Sequence, residues 1–116
     1  MPDVEIKQAL NLFYEACSAE EKGEMNLAEL YYLKSAFAFE QTGGKYFMNA
    51  ANALTALACL RKARGNYEGA MCSAKQALRI TKQPELQNSD AEVELIRMEA
   101  WELIEQLIHP SESSLH

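Results

Sequence analysis

The chain has 116 residues, an apolar share of 48% and a formal net charge of −6. That length suits one domain, because two cores of half the size would each be marginal, and the apolar share excludes a disordered chain. The acidity argues against nucleic-acid binding, which needs cationic side chains against the phosphates; the one short basic cluster, Arg61, Lys62 and Arg64, is closely followed by Glu68.

The start, Met-Pro-Asp-Val-Glu, is acidic and lacks the apolar stretch of a signal peptide. A first helix is predicted from about Val4 to Glu21, broken by Gly23, since glycine readily takes the left-handed conformation that ends a helix. A second starts near Asn26, read as its N-cap, and ends at Thr42-Gly43-Gly44. A third spans about Lys45 to Arg64 and stops at Gly65. Asn66 is expected to cap a fourth, which ends before Pro84 because the residue preceding a proline avoids the helical region. Ser89-Asp90-Ala91-Glu92 has the spacing of a capping box and opens a fifth helix to about Ile108. Residues 110–116 are read as a frayed tail. No apolar run reaches the length of a membrane span.

The sequence repeats itself. Lys22-Gly23-Glu24-Met25-Asn26-Leu27-Ala28 matches Arg64-Gly65-Asn66-Tyr67-Glu68-Gly69-Ala70 at an offset of 42 residues. The same offset joins Leu12 to Leu54, Ala16 to Ala58 and Cys17 to Cys59, and, taken once more, Leu54 to Ile96 and Ala58 to Ala100. Small residues recur where helices approach closely and large ones where they fill space. The expected order is a hairpin at about 4–43, a hairpin at about 45–83 and a lone closing helix at about 90–108, in a single domain over 1–109. Each hairpin leaves an apolar face that the next must cover.

These residues resemble the tetratricopeptide repeat in its 42-residue variant, as found in kinesin light chains and many bacterial regulators. The resemblance is carried by Ala53-Leu54-Thr55-Ala56-Leu57-Ala58-Cys59 through Gly65-Asn66-Tyr67-Glu68-Gly69-Ala70 and then Lys75-Gln76-Ala77-Leu78-Arg79-Ile80. In the first copy Met25 stands for the usual tyrosine and Ser35 for the usual alanine; the third copy covers one helix. The resemblance implies an all-α, right-handed solenoid of two hairpins plus a capping helix. It also implies a concave groove lined by the first helix of each pair, and binding of a protein or peptide. The lysine and asparagine clamp of one subgroup is not expected, because Phe13 and Cys17 stand at the matching positions.

In that alignment Phe13, Thr55 and Arg97 share a column, as do Tyr14, Ala56 and Met98, and Cys17, Cys59 and Trp101. These residues, with Asn49 and Asn52, are the expected partner-binding set. Asparagines can bond a guest's peptide groups, and aromatics can anchor its apolar side chains. Competing readings stay beside it: Phe13 and Tyr14 as core, Cys17 and Cys59 as small buried hydrophobes, Asn49 and Asn52 as plain surface. The pair Tyr31-Tyr32 reads as helix packing. Glu21, Glu94 and Glu105 are expected near the groove and favour a basic guest. In the fifth helix Val93, Ile96, Ala100, Leu103, Ile104 and Leu107 form the core stripe, and Leu95, Met98 and Trp101 fall outside it.

An enzyme is not expected: no histidine stands in the helical body to serve Cys17, Cys59 or Cys72, and no phosphate loop or paired metal motif occurs. The cysteine spacing does not suit zinc, no cofactor is implied, and unpaired cysteines fit a cytoplasmic location. Two alternatives to an adaptor remain: a homodimer built on the apolar residues of the last helix, and a helical bundle without a groove.

Overall fold

A computed structural model describes residues 2–86 and 91–109, which form five α-helices and two short 3₁₀ turns. The helices are α1 (Pro2–Glu21), α2 (Met25–Thr42), α3 (Phe47–Ala63), α4 (Tyr67–Ile80) and α5 (Ala91–Ile108). The proposed capping box at Ser89 and the tail at 110–116 lie outside the described residues.

The turns after α1 and α3 are built alike. Gly23 and Gly65 have φ of 79° and 83°, a region that costs a glycine little. The Gly23 amide donates to the Glu20 carbonyl and the Glu24 amide to that of Ala19; the Gly65 amide donates to the Lys62 carbonyl and the Asn66 amide to that of Arg61. Each pair satisfies two carbonyls left open at a helix end. The following starts differ. Asn66 accepts a bond from the Gly69 amide and caps α4, as its sequence position predicts. α2 starts at Met25 behind Glu24, which makes no side-chain cap. Asn26, expected as that cap, instead accepts a bond from Arg64 at 2.9 Å. A 3₁₀ turn at Gly44–Tyr46 precedes α3, whose regular part therefore starts later than Lys45.

Alanines set the helix spacing. Ala16, Ala58 and Ala100 are without exposed surface, as are Ala28 and Ala70. The principal extents are 49 × 35 × 20 Å, so the molecule is two helices thick in its shortest direction. α1 packs on α2, α3 on α4, and α3 also meets α2 and α5.

Polar ties fix the joints. Buried Ser35 donates to the Ala9 carbonyl at 3.0 Å, joining α2 to α1. The junction of α2 with α3 is fastened at both ends. At one, Phe39 and Tyr46 stack with ring centroids 6.5 Å apart. At the other, Glu29 accepts from Arg61 at 3.1 Å and from Arg64, while Arg61 also donates to Ser73 at 2.9 Å and to the Gly69 carbonyl.

Candidate functional site

The first helix of each hairpin and α5 border a run of hollows on one side of the molecule. The hollow between α1 and α3, about 200 Å³, is lined by Leu10, Phe13, Tyr14, Asn49 and Asn52, with Phe39 below. The next, about 330 Å³, lies between α3 and α5 and is lined by Met48, Asn49, Asn52, Glu92, Leu95, Ile96 and Glu99. A third, about 230 Å³, is lined by Cys59, Glu99, Glu102, Leu103 and Gln106. Asn49 and Asn52 belong to the first two and Glu99 to the last two, so neighbouring hollows share walls; together they are the trough across α3.

Its two halves have different chemistry. The α1 half is aromatic: Phe13 meets Tyr14 edge-on at 6.4 Å and Tyr32 at 5.6 Å, and Tyr14 keeps 64% of its surface exposed. The α5 half is acidic, with Glu92, Glu99 and Glu102 on its rim. Burial pushes the Cys59 thiol up from its ordinary value, and the Glu99 carboxylate adds to this, against a smaller opposing effect of Lys62. That raised value disfavours the thiolate, the form a nucleophile needs.

The expected partner-binding residues divide into three groups. Phe13, Tyr14, Asn49, Asn52 and Cys59 line the trough. Thr55, Ala56, Cys17 and Arg97 are engaged elsewhere. Thr55 is buried and donates to the Ala51 carbonyl at 2.8 Å, because a helical threonine one turn on finds that acceptor ready. Ala56 packs against the core. Cys17 is half-buried with its sulfur 3.6 Å from the Tyr32 hydroxyl. Arg97 reaches back to the Thr81 carbonyl at 3.0 Å and pairs with Glu94, joining α5 to the end of α4. The third group, Met98 and Trp101, is exposed but lines none of these hollows.

Tyr32 is 3% exposed and donates to Glu20 at 2.8 Å, so the tyrosine pair serves packing as expected for Tyr32. Burial, helped by the bond to Glu20 and by Cys17, raises its pKa well above that of free tyrosine.

The sequence reading missed Leu10, Met48, Glu92, Leu95, Glu99 and Glu102. The signal for the α5 members was present: 92, 95, 99, 102 and 106 recur at three and four residues and mark one helix face. Glu94 and Glu105, expected near the groove, lie on a different face of α5.

Among the described residues, no group of three or more His, Cys, Asp or Glu could hold a metal ion. No described helix is long and apolar enough to cross a membrane. Compared with protein-family models, with curated proteins and with solved structures, the chain finds no match.

Proposed function

We propose that the chain is a protein-binding module of tetratricopeptide-like organisation, and that it takes a basic segment of a partner protein in the trough over α3. The observation that carries this reading is the sharing of Asn49 and Asn52 between the α1–α3 and α3–α5 hollows, which sets two side chains able to bond peptide groups beside both. The repeat organisation is supported by the twin glycine turns and by the complete burial of Ala16, Ala58 and Ala100 at equal intervals. The basic character of the guest follows from Glu99 and Glu102, since an acidic rim selects and orients a cationic segment.

The test is affinity purification of the tagged chain at native abundance, read by mass spectrometry, beside a Tyr14→Ala, Asn52→Ala, Glu99→Gln variant. All three side chains are exposed, so helicity by circular dichroism should be unchanged while the specific partner is lost. Equal recovery by both chains sinks the reading.

Self-association is a second reading with its own observation. Leu30, Leu33 and Phe37 form an exposed ridge on α2, whereas the positions 42 residues later, on α4, are Cys72, Lys75 and Arg79. A dimer in sedimentation that Phe37→Lys dissolves would favour it.

A further inference from the structure

α5 has three distinct sides. One, with Glu92, Leu95, Glu99 and Glu102, borders the trough. A second, with Val93, Ile96, Ala100, Leu103 and Ile104, is buried. The third carries Ala91, Glu94, Met98, Trp101, Glu105 and Ile108, all exposed, and the intervals between them alternate between three and four residues. That alternation produces a seam along a helix against which another helix can pack in register.

Tyr14, in the column of Met98, borders the hollow that α1 shares with the next first-of-pair helix, α3. Cys59, in the column of Trp101, borders the hollow that α3 shares with α5. Ala56 and Cys17, the remaining members of these columns, are packed against the core, whereas Met98 and Trp101 keep 62% and 51% of their surface and no described helix covers them.

We propose that this seam docks an amphipathic helix of a partner protein, with an apolar edge flanked by lysine or arginine. The apolar edge is required by Met98, Trp101 and Ile108, and the flanking cations by Glu105 within the seam and Glu102 beside it. The cation that α5 itself supplies, Arg97, is already held by the Thr81 carbonyl and Glu94. A second copy of the chain fits less well, because two-fold pairing would set one acidic seam against another. The proposal concerns the end of the stack and stands whether or not the trough takes a guest.

Trp101 is the single tryptophan of the chain, so its emission reports on the seam directly. A displayed library of helical peptides with a fixed Leu/Ile edge, and with flanking positions drawn from lysine, glutamate, glutamine and serine, is selected on the full chain. The expected result is enrichment of lysine flanks, with the enriched peptide moving Trp101 emission to shorter wavelength. Measured with a labelled peptide, Trp101→Ala weakens binding about thirtyfold, the loss typical of a central aromatic anchor. Glu105→Gln weakens it about two- to threefold and flattens its salt dependence. Flanks selected without charge preference, or a peptide that Trp101→Ala and Met98→Ala variants retain, overturn the proposal. So does sedimentation showing a dimer in which Trp101 is already shielded. Asn49→Ala with Asn52→Ala leaves peptide affinity unchanged; a loss there would move the peptide to the trough and overturn the assignment to the seam.

Discussion

Lys22-Gly23-Glu24 and Arg64-Gly65-Asn66 make the same turn, but the hairpins they close are filled by different means. Phe13, Tyr32 and Phe39 of the first correspond, 42 residues later, to Thr55, Ala74 and Thr81 of the second. The first hairpin fills its interior with rings, and Phe39 is among the most completely buried large side chains. The second buries leucines such as Leu54 and Leu57 instead of rings, and directs polar groups into bonds: Arg61 to Ser73, Thr81 to the Leu78 carbonyl, and Arg97 to the Thr81 carbonyl. At these matched positions the first hairpin thus rests on ring volume and the second on small or hydrogen-bonding side chains, and the two should fail differently there.

The largest effect is expected at the register pair Phe39 and Thr81. Phe39→Ala leaves a cavity beneath the trough and should cost about 3–5 kcal/mol. Thr81→Ala loses the hydroxyl's bond to the Leu78 carbonyl and its longer contact with Arg97, but keeps the carbonyl that holds Arg97, and should cost about 1 kcal/mol. Denaturant unfolding measures both, and similar losses would break the comparison.

Tyr32 offers the next test. Its folded-state pKa is raised by burial first and by Glu20 and Cys17 after it. A raised value means that its contribution is whole below the ordinary tyrosine value of 10.0 and is lost as pH climbs above it. Stability should therefore fall through the alkaline range in the native chain, and less steeply in Tyr32→Phe, which has no phenol to ionise. Parallel curves would show that Tyr32 does not set the alkaline limit.

The smallest effect separates the two helix starts. Asn66→Ala should cost about 1 kcal/mol, the usual value of an N-cap, whereas Glu24→Ala should change stability by no more than a few tenths. Glu24→Asn should raise it by up to about 1 kcal/mol by giving α2 the cap it lacks. Thermal unfolding of the three variants sharpens the contrast between the hairpins, and a loss from Glu24→Asn would show that the first turn cannot hold a cap.

Much of the helical outline was legible because local chemistry decides it. Glycines end α1 and α3, and Asn66 caps α4 from within its own turn. Asn26 was misread because its partner, Arg64, is 38 residues away. The 3₁₀ turn before α3 gave no sign, since Lys45 and Tyr46 carry no helix break. The register brings Tyr14 and Cys59 to the lining of the trough, where Asn52 also stands. It failed at Thr55 and Arg97, whose polar groups found acceptors at Ala51 and Thr81, contacts that a column alignment does not contain. It also merged two faces of α5, because Leu95, Met98 and Trp101 all lie off the core stripe and only the position of α3 separates them.

The double fastening of α2 to α3, rings at one end and guanidinium groups on Glu29 at the other, has a mechanical meaning. It holds the hairpins at a set angle, so the width of the hollow between α1 and α3 is established before any guest arrives. Little ordering entropy would then remain to be lost if the proposed guest binds there. Because one fastener is ionic and the other is not, added salt should loosen the joint from a single end, turning a rigid elbow into one that opens like a page.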